Sequence, residues 1–511
     1  MNKNKQLAIN MAAQIIAFGI NVCISFFLTP YIVKHIGREA YGFVGLANNF
    51  ISYATIITTA LNSMAGRFIT ISIHREEYED TNRFFTSIIA ANAVVSSVLT
   101  ILAVFVLVFL DKIINVPKNI LGDVTLLWAL LFANFLLSLI GNVLNVATFA
   151  KNKLYLASLR NIESNAIKVV ILIFAFMFFK PHIWYLGIST LVCGLYVIAI
   201  NFYYTKKLLP TVKIKKQYLD LGKIKTLIMS GMWNSISKLS GTLSTGLDLL
   251  ITNLFVGVSA MGTVSISKTL STQILSVFGM IASVFAPQLT ISYAKNDFED
   301  IRQQLNSAIK LLGFFACIPV AFLYVYSREF YALWLPTQDA VLLQRLSILG
   351  AGAFIFSLSL EPLWNIFTVA NKVRQSSLFL LMNACVSTLL VFILLTHTTD
   401  ENMKMYIVVG VSTIMSIIRA LTFLPVYGAV CLGFKWHTFF PLILKNIISV
   451  AIVSVLALGI KMLIPINSWI LLLLDIALMG IGACVINYFI MLDKHEREIL
   501  KNKLLMKGAK V

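Results

Sequence analysis

Fourteen apolar runs succeed one another along this chain, near residues 7–33, 41–63, 84–110, 123–149, 156–179, 183–204, 229–255, 262–286, 305–327, 342–369, 375–396, 405–425, 439–463 and 468–491. Each is long enough to cross a hydrocarbon core of about 30 Å, which takes roughly 20 helical residues. Of the 511 residues 59% are hydrophobic and 12% charged, too few charges to cover a soluble globule of that size. The sequence therefore predicts an all-α polytopic membrane protein of about 14 transmembrane helices. The first run follows Lys3 and Lys5 and reaches Val33. It is too long for a signal-peptide core and is expected to be a retained span.

The formal net charge is +19. On a soluble protein that would suggest nucleic acid, but here the charge is sorted by side. With Met1 placed in the cytoplasm, the inner loops and both ends carry about 29 of the Lys and Arg, against about nine in the outer loops. This is the positive-inside asymmetry. It predicts cytoplasmic N- and C-termini, membrane lipids as partners and no nucleic acid. A linker at 205–228 holds Lys206, Lys207, Lys213, Lys215, Lys216, Lys223 and Lys225. Lysines so placed either lie on anionic head groups or form a solvated connector. A basic tail follows at 492–511.

The chain also repeats itself. Residues 37–152 match a stretch 220 positions later without a gap: Gly37, Ala40, Gly42 and Val44 recur as Gly257, Ala260, Gly262 and Val264. The same offset pairs Thr70-Ile71-Ser72 with Thr290-Ile291-Ser292, Glu77-Tyr78-Glu79-Asp80 with Asp297-Phe298-Glu299-Asp300, and Asn145, Thr148 and Ala150 with Asn365, Thr368 and Ala370. An even number of spans separates the copies, so the halves are expected to be parallel repeats, an architecture of alternating-access transporters. The expected domains are an N-lobe at 1–204 (spans 1–6), the linker, a C-lobe at 229–425 (spans 7–12) and an unpaired pair of spans at 439–491. Gly37, Gly42, Gly257 and Gly262 sit at tight turns between spans. They are turn residues or hinges, since glycine tolerates φ > 0.

Soluble-enzyme motifs are absent: there is no GxxxxGK[ST], no GxGxxG after a strand and no HExxH. Neither an ATP-driven pump nor an enzyme is expected. The six cysteines are scattered through apolar runs without a CxxC pair, so neither a disulfide framework nor a zinc site is expected, and no cofactor is implied. What remains is a set of ionisable groups inside apolar segments, where a charge costs at least a few kcal/mol and usually faces a cavity or a partner. They are Arg160, Glu163 and Lys168 on the fifth span, Lys238 and Asp248 on the seventh, Lys268 on the eighth and Glu361 on the tenth. Arg419 and Asp475 lie in the twelfth and fourteenth. Asp248 and Lys268 come out at similar depth, which fits an ion pair. Gln14, Asn21, Asn48, Asn145 and Asn365 add polar groups that interhelical hydrogen bonds would explain. Lys168, near midplane, is the strongest candidate for lining a cavity.

These features resemble the polysaccharide-transporter (Wzx-like) flippases of the multidrug/oligosaccharidyl-lipid/polysaccharide exporter superfamily. The residues that carry the resemblance are the first span running into Ile36-Gly37-Arg38-Glu39-Ala40-Tyr41-Gly42, Ala65-Gly66-Arg67-Phe68, Ala286-Pro287 and Leu333-Trp334-Leu335-Pro336. The resemblance implies a flippase of the bacterial cytoplasmic membrane. Its substrate would be an undecaprenyl-pyrophosphate-linked oligosaccharide repeat unit bound for capsule, O-antigen or a similar polymer, with polysaccharide polymerase machinery as a further partner. Drug antiporters of the superfamily typically have twelve spans, so the last two argue against them. Lipid II flippases also have fourteen spans, but carry a first-span arginine where this chain has Gln14 and Asn21. On this reading Lys168, Lys238, Lys268 and Arg160 hold the pyrophosphate. Asp248, Glu361 or Glu163 would couple transport to an ion gradient.

Overall fold

The computed structural model describes residues 3–151, 153–370, 372–494 and 496–498, and their side chains from residue 16 onward apart from residues 74, 154, 244–246, 287, 290, 291 and 294. Among the described residues every regular element is a helix. Thirteen of them are long and apolar enough to cross a membrane, so the chain is an all-α, multi-pass membrane protein. The seventh apolar run falls in a 35-residue helix outside that set. Ser, Thr and Gly recur along it, together with Lys238 and Asp248.

The chain divides into two compact units, Met1–Thr263 with Ser377–Ala384, and Val264–Ser376 with Cys385–Val511. In chain order the first holds α1 (Lys3–His35), α2 (Arg38–Asn62), α3 (Ala65–His74), α4 (Tyr78–Val108), α5 (Leu110–Ile113), α6 (Leu121–Gly141), a 3-10 turn (Asn142–Asn145), α7 (Val146–Ala150), α8 (Leu154–Phe178), α9 (Tyr185–Leu208) and α10 (Leu221–Phe255). α11 (Val258–Ser283) begins there. The second unit continues through α12 (Ala286–Ala294), α13 (Phe298–Val325), α14 (Ser327–Trp334), α15 (Ala340–Gly350), α16 (Phe354–Ser357), a 3-10 segment (Leu358–Leu363), α17 (Trp364–Val369), most of α18 (Val373–Thr396), α19 (Glu401–Ile418), a π turn (Arg419–Phe423), α20 (Leu424–Cys431), α21 (Phe440–Leu463) and α22 (Trp469–Ile490).

The repeat is legible in these boundaries. α2 starts at Arg38 and α11 at Val258; α4 starts at Tyr78 and α13 at Phe298. Gly37 and Gly257, immediately before α2 and α11, have φ of 111° and 142°, which a side chain would strain. Glu76 and Asn296 both enter the left-handed region, at φ 61° and 55°. The amides that follow close the same bond, Glu77 N to Ser72 O at 2.9 Å and Asp297 N to Ser292 O at 3.0 Å. Backbone groups freed where a helix ends are thus re-satisfied locally.

In the first unit α10 lies along α2. A Cβ on Gly231 would stand 1.9 Å from Ala60 O, so glycine sets how closely these helices approach. Ser235 Oγ donates to Ile56 O at 2.8 Å in the same seam. The basic linker is tied down. Lys213 N donates to Asn82 Oδ1 (2.7 Å) and Asp220 N to Ser87 Oγ (2.9 Å), and Lys223 pairs with Asp80 at 2.6 Å. Asp220 caps α10 through Gly222 N and Lys223 N. Those backbone bonds, with Arg83 beside it, hold its carboxyl below the usual range. In the second unit α13 is buried along Ala308, Leu312, Ala316, Val320 and neighbouring residues. α21 and α22 pack beside it. Asn487 Nδ2 donates to Phe314 O at 2.7 Å, and Ser449 Oγ to Asn487 Oδ1 at 2.5 Å.

Candidate functional site

The fourth span is broken where Asn142–Asn145 winds as a 3-10 turn between α6 and α7. At this break the carbonyl of Leu144 takes a bond from Thr205 Oγ1 of α9 at 3.1 Å. Around this break the first unit gathers a polar cluster. Asn201 Nδ2 donates to Asn145 Oδ1 (2.7 Å), and Asn145 Nδ2 to Asn142 Oδ1 (3.3 Å). Arg160 is 2% exposed. It donates from Nε to Leu156 O (3.2 Å) and from Nη2 to Thr148 Oγ1 (3.4 Å), and its guanidinium lies 5.6 Å from the Tyr204 ring centre. Nearly one turn on, Glu163 accepts from Tyr196 OH at 2.7 Å. Arg160 Nη1 and Asn201 Oδ1 are buried without a protein partner. Three residues named from sequence, Arg160, Glu163 and Asn145, thus share one region. Asn201, Tyr196 and Tyr204 complete it. Their signal was weak: single polar residues spread along the sixth span.

Lys168 lies two turns beyond Arg160 on α8, half-buried. It makes no hydrogen bond or ion pair among the described residues, and Cys193 is the titratable group within electrostatic reach. It is a spare positive charge inside an apolar helix. Lys238 on α10 is exposed, also without an ion-pair partner among the described residues. Asp248, further along α10, is buried within electrostatic reach of Tyr53 on α2. Asn21 and Asn48 are exposed; Asn48 donates to Val44 O of its own helix at 3.0 Å. The side chain of Gln14 lies outside the described residues. A cavity of about 240 Å³ opens between α2, α4 and α6, lined by Phe50, Tyr53, Ile57, Leu102, Val106 and Phe135 among others. Its lining suits a hydrocarbon chain and offers no charge to an anionic head.

The glycines divide by role. Gly37 and Gly257 supply positive φ. Gly42 and Gly262, which the repeat equates, are helical and meet each other. A Cβ on Gly42 would stand 3.1 Å from Gly262 Cα, and one on Gly262 2.6 Å from Arg38 O.

The second unit also breaks the tenth span, a few residues before the position that the repeat equates with Asn142–Asn145. Leu358–Leu363 is 3-10 around Pro362, which has no N–H to donate. Glu361 sits in this segment, within electrostatic reach of Arg419. Arg419 opens the π turn Arg419–Phe423, just before Pro425 in α20. Such a turn absorbs an extra residue and recurs at functional sites. Its guanidinium lies 5.9 Å from the Trp364 ring centre, and Nη2 donates to Ser416 Oγ at 3.5 Å. Asn365 donates to Ala282 O at 3.0 Å. Lys268 on α11 is half-buried. All six cysteines are free thiols. Among the described residues no group of His, Cys, Asp and Glu could hold a metal.

Comparison with known proteins agrees with this architecture. A family model described as polysaccharide biosynthesis protein matches residues 7–293. The chain is 29% identical over 505 residues to the uncharacterized membrane protein EpsK of Bacillus subtilis (strain 168), covering 99% of both chains. Among solved structures it is similar to an inward-facing multidrug resistance MATE family transporter of the MOP superfamily, with a TM-score of 0.61 at 14% identity, covering 84% of this chain and 97% of that one. The eukaryotic MATE transporter AtDTX14 gives a TM-score of 0.61 at 13% identity, over 88% of this chain and 98% of that one. At these identities the structural likeness establishes a shared two-lobe helical fold.

Proposed function

The chain belongs to the polysaccharide biosynthesis protein family, and from that premise we propose that it is a flippase for a polyprenyl-pyrophosphate-linked oligosaccharide. It would carry the head group from the cytoplasmic to the outer leaflet of a bacterial cytoplasmic membrane, by alternating access of the two repeats, with both termini inside. The lobes that move would be the two sequence repeats, 1–204 and 229–425, although α10 (Leu221–Phe255) packs within the first compact unit. The product would feed a surface polymer such as capsule or O-antigen and its polymerase. Family and fold point to a membrane transporter rather than a catalyst. The observation that carries the substrate reading is Lys168. An unpaired cation inside an apolar helix costs several kcal/mol, and a pyrophosphate offsets that cost. Arg160, with a free Nη1, and Lys238 and Lys268 are secondary anion contacts. Glu163, Glu361 and Asp248 are the coupling candidates on the repeat helices.

The likeness to MATE transporters supports a second reading, a cation-coupled drug antiporter. One experiment separates the two. The purified protein is reconstituted in liposomes with a fluorescent polyprenyl-pyrophosphate oligosaccharide, and leaflet exposure is scored with a lipophilic cation run in parallel. Glycolipid movement without dye movement is expected. Dye movement alone would replace the flippase with the antiporter.

A further inference from the structure

The two spans outside the repeat carry a group that neither the repeat nor the substrate reading uses. α22 shows Ile470, Leu473, Leu474, Ile481 and Val485 on its exposed side. Its buried stripe is Leu472, Asp475, Met479, Ala483 and Asn487. Two polar residues on one stripe have opposite fates. Asn487 bonds to Ser449, Phe314 O and Cys317 Sγ. Asp475 is 0% exposed, and both its carboxylate oxygens are buried without a protein hydrogen-bond partner. A structural carboxylate would be expected to have acquired partners as Asn487 has, because an unpaired charge in a low dielectric is among the costliest features a fold can carry.

The titratable groups facing Asp475 come from each element packed on α22. Lys461 of α21 and Tyr326, at the end of α13, lie within electrostatic reach of it. Glu329 of α14 is reached through Lys461, whose Nζ donates to Glu329 Oε2 and to Val325 O, both at 2.7 Å. Tyr326 OH is committed to Ala457 O at 2.9 Å. The Lys461 and Glu329 side chains are 27% and 17% exposed. The cation within electrostatic reach of the buried carboxyl is thus itself partly exposed.

We propose that Asp475 is a proton-exchanging carboxyl of the transport cycle, carried by the α21–α22 hairpin and reaching water through the Glu329–Lys461 pair. The proton is taken up onto a carboxylate oxygen of Asp475 and released from the same oxygen, and no other bond changes. With Asp475 neutral, Lys461 stays on Glu329 and Val325 O, as observed. With Asp475 ionised, the ammonium is drawn between two carboxylates and loosens its hold on the α13–α14 junction. The neighbouring ammonium makes a metal cation the poorer occupant. This inference rests on the transporter reading above, and its chemistry is testable apart from the substrate.

The test uses the full chain in proteoliposomes and dicyclohexylcarbodiimide, which captures protonated carboxyls buried in apolar surroundings. The adduct at Asp475 is followed by peptide mass spectrometry between about pH 5 and 9, the range in which a buried carboxyl can titrate. Expected are labelling that falls as pH rises, no adduct in Asp475→Asn, and no protection by sodium. No adduct at any pH overturns the proposal, and so does protection by sodium at fixed pH. In the flipping assay, Asp475→Asn is expected to lose at least about tenfold of the acceleration by a pH gradient, and Asp475→Glu to keep it. An Asn variant with undiminished gradient dependence also overturns it. If the wild type moves no glycolipid, the flippase reading fails, while the labelling result still decides for or against Asp475.

Discussion

The fourth and tenth spans are the same backbone solution filled with different chemistry. Each interrupts its α-helix with a 3-10 stretch, Asn142–Asn145 in one and Leu358–Leu363 in the other. At the first break the hydrogen bonds go to neutral groups, amides, a threonine and Leu156 O, with the Arg160 guanidinium beside the Tyr204 ring and Glu163 within its electrostatic reach. The second places Glu361 within electrostatic reach of Arg419, whose guanidinium lies beside Trp364. A repeated fold therefore does not imply a repeated site. The first half ends with surplus positive charge, since Lys168 also lacks an ion pair among the described residues. In the second half Glu361 has the Arg419 cation within electrostatic reach. On the proposed function the first compact unit would supply three of the four anion contacts, Lys168, Arg160 and Lys238.

The sharpest break of that comparison is at Lys168. Lys168→Ala is expected to slow glycolipid flipping at least about tenfold, equivalent to about 1.4 kcal/mol of barrier, with membrane abundance unchanged. The residue 220 positions on is Thr388, and Thr388→Ala should stay within about twofold of wild type. Equal losses at both positions would mean the halves share the load.

Stability should separate the two breaks next. Arg419→Leu strands Glu361 and is expected to cost up to about 3 kcal/mol in detergent unfolding, with most of it recovered by adding Glu361→Gln. Arg160→Leu removes a cation whose hydrogen-bond acceptors are neutral and should cost about 1 kcal/mol. If Arg160 proves the costlier, Glu163 is its true counter-ion.

The smallest effect belongs to the end of the hairpin, where Lys310 and Lys445 lie 2.5 and 3.2 Å from Asp493 and hold its carboxyl below the usual range. A depressed carboxyl stabilises above its unfolded value and loses that contribution as pH falls through its folded value. Asp493→Asn should therefore cost a few tenths of a kcal/mol at neutral pH, this being an exposed pair. The difference from wild type should vanish in acid below about pH 3. A cost that persists there would point to packing rather than charge.

The break in the tenth span had a signal in the sequence, Pro362. The fourth had none, because Asn-Val-Leu-Asn is compatible with an unbroken helix, and only the identity of Asn145 and Asn365 hinted at it. Of the partners of Arg160, only Leu156 O, one turn back on the same helix, follows from spacing; Thr148 and Tyr204 lie on other helices. The linker read from its lysines is held by Asn82, Ser87 and Asp80, and these anchors could not be foreseen because they lie on another helix.

Sequence by itself determined that this chain is helical, spans a membrane many times and contains its own repeat. Apolar length, charge distribution and a constant offset are local or additive properties, and a linear string records them. Tertiary structure alone decided which polar groups inside the spans are satisfied. Asn487 and Asp475 stand on one face of one helix, three turns apart, and nothing in the string marks one as bonded and the other as not. That depends on whether a donor from another helix arrives within about 3 Å, which packing fixes and composition does not.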